Sequence, residues 1–169
     1  MREKLGGRFP YASWKEIVCL LLPKRLFGTT LRVTVAASEP STGRVLWRTA
    51  AGSVWGEDRD RESLELIATE QLLSIYQQGP VRVRPGDVVL DIGGHLGLFT
   101  HTALNAGAAL VVVFEPDPRR LACLEATFAT EIARKAVRLV PAGAWHSDGF
   151  VVLGPGDVTR DDSSVSRDD

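Results

Sequence analysis

Two cysteines in 169 residues, Cys19 and Cys123, lie far apart, and neither Cys-x-x-Cys nor His-x-x-x-His occurs among them and His95, His101 and His146. Converging metal ligands are therefore not expected. Excess positive charge is also lacking. The formal net charge is −1, which argues against nonspecific nucleic-acid binding, a property that needs a basic surface. The basic residues are 16 Arg and 4 Lys, and nothing in the sequence explains that bias. Long apolar runs are missing as well. The longest run near the amino terminus, Ile17 to Leu22, has six residues, against the roughly 20 that cross a bilayer. No small-residue cleavage pattern follows it. A chain with reduced thiols and a cytoplasmic location is the expectation. Trp14 to Leu22 reads as an amphipathic helix stopped by Pro23, packed on the domain, with docking to a membrane surface as the alternative. No internal repeat is visible.

What is present is concentrated between Gly86 and Asp117. Pro85-Gly86 introduces Asp87 to Ile92, a β-branched apolar run of the kind found in strands covered on both faces. Asp91 sits at its end and the glycines follow at once. Gly93, Gly94 and Gly97 fall where a strand reverses into a helix, so backbone can approach a ligand without a Cβ in the way. Leu96 to Ala106 reads as that helix, with Gly107 as its stop and amino-terminal amides pointing back at the turn. Leu110 to Phe114 is a second buried strand, and it ends on Glu115, 18 residues after Gly97. An acid at that tip is placed to hold a ribose diol. Pro116, Asp117 and Pro118 then open a helix predicted over Pro118 to Ile132.

Two nucleotide cofactors compete for such a turn. A dinucleotide fold wants Gly-x-Gly-x-x-Gly facing a pyrophosphate, and here Ile92 occupies the place of the first glycine. Asp91 would repel a pyrophosphate and attract the ammonium and sulfonium of S-adenosyl-L-methionine. Electrostatics favour the cationic cofactor.

Asp91-Ile-Gly-Gly-His-Leu-Gly97, Val113-Phe-Glu-Pro-Asp117 and Val137-Arg-Leu-Val-Pro-Ala-Gly-Ala-Trp-His-Ser-Asp-Gly149 together resemble the S-adenosyl-L-methionine-dependent methyltransferases of the FkbM family. The resemblance covers roughly Val83 to Ser164. It implies a class I, Rossmann-like fold, cofactor contacts from Asp91, Gly93, Gly97 and Glu115, and methyl transfer to an oxygen of a small molecule or sugar. His95 stands where the family commonly has Asn. The Lys-Ile-Asp-x-Glu-Gly type strand with which family members tend to continue has no counterpart here.

The sequence thus predicts an α/β chain with an incomplete Rossmann-like parallel sheet. Its strands are Asp87 to Asp91, Leu110 to Glu115 and Val137 to Pro141, with a short extended piece at Phe150 to Leu153. Residues 1–60 form an amino-terminal helix and β-hairpin appendage, with strands at Thr29 to Ala36 and Arg44 to Ala50 around the Glu39 to Gly43 turn. Residues 61–156 form the cofactor-binding half domain, beginning with a helix over Arg61 to Tyr76, and residues 157–169 an acidic, disordered tail. In a longer protein Ser163 and Ser164 would belong to an ordered loop. The first parallel strand should expose an unpaired edge, covered by an oligomeric partner or by a second half of the sheet. Acceptor-binding and proton-removing groups would come from that second half, so weak turnover or none is expected.

The candidate cofactor residues are Asp91, Gly93, Gly94, Gly97, Glu115 and Asp148, the last for an adenine amino group. Trp145 either stacks on the adenine or simply packs, and His146 is a weak candidate for catalysis at the rim. Cys123 reads as core filling. No residue can be named as the catalytic base. An NAD(P)-binding oxidoreductase fragment and a noncatalytic interaction module remain the alternatives.

Overall fold

A computed structural model of the chain describes residues 33–72, 74, 76, 77, 80–144, 149, 152, 153, 165 and 166. The predicted helix Trp14 to Leu22, together with Cys19, Trp145, His146, Asp148, Ser163 and Ser164, lies outside them.

The amino-terminal strands form a three-stranded antiparallel meander, β1 (Thr34–Glu39), β2 (Arg44–Arg48) and β3 (Ser53–Gly56), in that order. The predicted turn is in place: Glu39 C=O accepts the Thr42 and Gly43 amides at 3.2 and 2.9 Å, with Gly43 at φ +72°. The first strand runs further along the chain than Thr29 to Ala36, with a register irregularity between Val35 and Ala37. Sequence reading missed β3, whose four residues, Ser-Val-Trp-Gly, are too few to show a period. One face of the meander buries Val45, Trp47 and Val54 in a core shared with Leu64, Ala68, Leu96, Leu98 and Cys123. The meander is therefore built into the α/β body. Its outer edge is tied down too, because the Trp55 amide donates to Thr127 Oγ1 at 2.9 Å. Cys123 is buried in that core as expected.

A single 3-10 turn (Asp58–Asp60) leads into α1 (Arg61–Leu72), which ends four residues short of the predicted Tyr76. Asp60 anchors the start of α1. Its carboxylate accepts the Glu57 amide at 2.6 Å and meets Arg120 Nη1 at 2.7 Å, with Asp60 almost fully buried. Residues 60 positions apart are thereby locked across the core, a pairing no local pattern reveals.

The parallel sheet contains β4 (Val88–Ile92), β5 (Leu110–Phe114) and β6 (Val137–Val140) in the order β4-β5-β6, with in-register pairs such as Asp91 with Val113. These match the three predicted strands within a residue or two. The connections supply α2 (Leu98–Asn105), α3 (Pro118–Thr127) and α4 (Ala129–Ala133). Ala103, Val111, Val113, Leu124, Phe128 and Val137 form the core between these helices and the sheet. The single helix predicted over Pro118 to Ile132 is instead broken at Phe128, which sits at φ −108°, ψ 24° with its ring completely buried. Asp117 starts α3 as predicted, accepting the Arg119 amide at 2.8 Å with Pro118 in the first turn.

Among the described residues β4 has a neighbour on one side only. Its Val88, Leu90 and Ile92, on one face of the sheet, are 65%, 59% and 62% exposed. Two short pieces, β7 (Val152–Leu153) and β8 (Val165–Ser166), pair antiparallel. The second lies inside the stretch expected to be disordered and corrects that expectation at those two residues.

Candidate functional site

The junction of β4 and α2 is a tight reversal in which backbone conformation and packing explain each glycine separately. Gly93 takes φ +79° and Gly97 φ +88°, values that cost a residue with a Cβ about 1–2 kcal/mol. A Cβ on Gly93 would meet nothing within 4 Å. Gly93 is thus the glycine that leaves backbone open. A Cβ on Gly94 would stand 2.1 Å from Val113 Cγ1, and one on Gly97 would stand 2.3 Å from Phe128 Cε2. Those two serve close packing of the turn on β5 and on the α3–α4 break. His95 between them is also left-handed at φ +50°, a conformation that Asn, Asp and His tolerate best.

The turn's amides do not form a free cradle. Gly93 and Gly94 both donate to Phe114 C=O, at 2.9 and 3.1 Å, Gly97 donates to Gly94 C=O at 2.7 Å, and His95 donates to Glu115 Oε2 at 2.9 Å. Of the amides at the start of the predicted helix Leu96 to Ala106, the one on Gly97 is used within the turn, and those of Gly93, Gly94 and His95 just before it are used by the protein as well.

Asp91 and Glu115 flank the turn, each from the end of its own strand. Asp91 is buried and accepts the Thr100 hydroxyl at 2.5 Å, so the helix that follows the turn fixes the acid that precedes it. Burial pushes its carboxyl above the ordinary 3.8, while the side-chain and backbone hydrogen bonds from Thr100 pull it back part of the way. Glu115 is buried as well and clasps the turn, with Oε2 on the His95 amide and Oε1 on the Asp117 amide at 2.9 Å each. Burial raises its carboxyl above 4.5 against those two bonds. Each Glu115 oxygen keeps a second lone pair for a further donor.

A cavity of about 300 Å³ opens on the Asp91 side of the turn, within the size range of small-ligand pockets. Asp91, Gly93 and Gly94 line it, and Gly97 and Glu115 do not. The predicted residues are thus gathered around one bend, but only three of the five described ones face the same hollow. Asp148 lies outside the described residues.

Sequence reading missed the contribution of α1 to this hollow. Glu70, Gln71 and Tyr76 line it from the far side, with Tyr76 Oη donating to Glu70 Oε2 at 3.0 Å. The Arg61 to Tyr76 stretch shows helical spacing but nothing that says where its polar face docks. His101 and Asn105 of α2 were likewise unassigned. His101 Nε2 lies 3.0 Å from Ser53 C=O and Asn105 Nδ2 donates to Ala51 C=O at 2.9 Å, joining α2 to the β2–β3 turn.

No group of three or more His, Cys, Asp or Glu that could hold a metal ion occurs among the described residues, and no helix there is long and apolar enough to cross a membrane. Compared with protein-family models, with curated proteins and with solved structures, the chain matches none.

Proposed function

We propose that this chain binds S-adenosyl-L-methionine at the β4–α2 turn and belongs to a methyltransferase of the FkbM type, acting on an oxygen of a small molecule or sugar. The observation that carries the reading is a buried carboxylate, Asp91, which lines the cavity beside the turn and is held there by the Thr100 hydroxyl. Such a wall carries the charge that attracts an ammonium or sulfonium and repels a pyrophosphate. That combination disfavours the dinucleotide alternative.

The residues fit the group. Gly93 leaves room for a ligand against bare backbone, Asp91 supplies a fixed negative charge, and Glu115 retains acceptor capacity for ribose hydroxyls where it closes on the turn. His95, standing where the resemblance expects Asn, keeps the left-handed backbone that Asn would supply. When bound, the cofactor would supply an electrophilic methyl group. The protein's part is positioning: Thr100 holds Asp91, and the Glu115 carboxylate holds the turn through the His95 amide. The described residues build a three-stranded parallel sheet, and we assign no base, so the proposal is one of cofactor binding.

Titration calorimetry with S-adenosyl-L-methionine, S-adenosylhomocysteine and NAD tests this. Binding of the first two and not the third is expected, with Glu115→Ala weakening both. Binding of NAD without any response to S-adenosylhomocysteine would reject the reading.

A further inference from the structure

The cavity beside Asp91 has a second wall that the strand-turn-helix motif does not contain. Glu70 and Tyr76 come from α1 and the residues just after it, outside the stretch that carries the family resemblance. Among the described residues lining the cavity there is no Lys or Arg, and those with a carboxylate are Glu70 and Asp91. Glu70 and Phe99 are among the partners that orient Tyr76. Its hydroxyl donates to Glu70 Oε2 at 3.0 Å, and its ring meets Phe99 edge-on, with centroids 5.8 Å apart and planes at 69°. Donation to a carboxylate leaves the phenol oxygen and ring richer in electrons, which strengthens the attraction of the ring face for a cation. Phe99, also on the lining, adds a second aromatic surface.

We propose that Glu70 and Tyr76 form a cation-selective wall that fixes the ammonium of the ligand's zwitterionic amino-acid end opposite Asp91. This rests on the reading of the site as an S-adenosyl-L-methionine pocket and adds two specificity residues to it. The geometry also orients the ligand. The charged end lies at α1 and Asp91, and the ribose lies toward Glu115, which is off this cavity.

Three related ligands separate the contributions. Of the two cationic groups, S-adenosyl-L-methionine carries both ammonium and sulfonium, S-adenosylhomocysteine only the ammonium, and 5′-methylthioadenosine neither; the first two also share an α-carboxylate, which methylthioadenosine lacks. Calorimetry on the full chain compares the wild type with Glu70→Gln and Tyr76→Leu, each first shown by circular dichroism to retain the wild-type fold. Glu70→Gln should weaken S-adenosyl-L-methionine roughly 3- to 10-fold, as expected for losing a partly exposed charge contact, and leave methylthioadenosine within about twofold. A matching loss for S-adenosylhomocysteine places the ammonium at Glu70, whereas an effect on S-adenosyl-L-methionine alone places the sulfonium there. Tyr76→Leu should give a smaller loss with the same selectivity. If Glu70→Gln leaves both charged ligands unchanged, or weakens methylthioadenosine equally, the wall is not a cation site. If the wild type binds none of the three, the reading of the whole site falls and this inference with it.

Discussion

At the scale of single residues, the three turn glycines make separable predictions because only two of them are wedged against the core. Gly93→Ala has open space for its methyl and suffers only the left-handed backbone, about 1–2 kcal/mol. Gly97→Ala bears that same strain and also drives a methyl into Phe128, for a further ~1–3 kcal/mol of overpacking. Urea unfolding should therefore rank Gly97→Ala as the less stable variant, and cofactor titration should show Gly93→Ala losing affinity out of proportion to its stability. Equal stabilities would remove the packing role assigned to Gly97. Asp91 makes a second prediction, through pH. Burial raises its carboxyl above 3.8, so between that value and the raised one the folded chain holds more protons than the unfolded one. Stability accordingly falls as pH climbs through that window; the cost is full above the raised value and absent below about 3.8. Asp91→Asn should flatten this part of a stability-pH profile measured by urea titration. Asp91 and the three glycines were legible in the sequence because turn chemistry is local. That Glu115 would spend both oxygens on amides, with Oε2 on His95 twenty residues earlier, was not, since that bond depends on how far the turn folds back over β5.

At the scale of elements, the contact between α2 and the meander joins distant parts of the chain and includes a buried histidine. His101 and Asn105 lie one turn apart on α2 and reach the carbonyls of Ser53 and Ala51, while Gly52 between them leaves no room for a Cβ beneath the imidazole. Burial lowers the His101 pKa below 6.5, against smaller opposing effects from the Ser53 carbonyl and the Glu131 charge. With a lowered value the unfolded chain takes up the proton first. Stability contributed by neutral His101 is therefore complete above 6.5 and declines as pH falls from there toward the lowered folded value. His101→Gln should remove that decline while keeping a donor for Ser53. Hydrogen exchange of the β2–β3 turn is the sensitive readout, and an unchanged pH response would rule out His101 as its origin. The sequence showed α2, β4, β5 and β6 because their apolar periods and glycine stops are strong. It did not show β3 or the break at Phe128. A four-residue strand has no measurable period, and Phe128 interrupts a helix for the sake of burying its ring under Gly97 rather than through any breaker residue.

At the scale of the whole molecule, the parallel sheet is unevenly covered. Helices α2 and α3 bury the face carrying Val111 and Val113, whereas Val88, Leu90 and Ile92, alternate residues on the terminal strand, remain more than half exposed. Parallel strands are ordinarily covered on both faces, and an unpaired apolar edge offers amides and carbonyls to any strand that approaches. The physical consequence is association. Light scattering should show the apparent mass rising with concentration, and Leu90→Lys should suppress that rise. The charge would lie on the exposed side of β4, so the fold itself should tolerate it, with a melting temperature close to the wild type. Leu90 also lines the cavity beside Asp91, and a lysine there would bring positive charge to a wall that we propose attracts cations. The same substitution should therefore weaken S-adenosyl-L-methionine binding more than that of methylthioadenosine. Loss of association without loss of cation preference would separate the edge from the site. Loss of neither would mean that β4 is covered in solution.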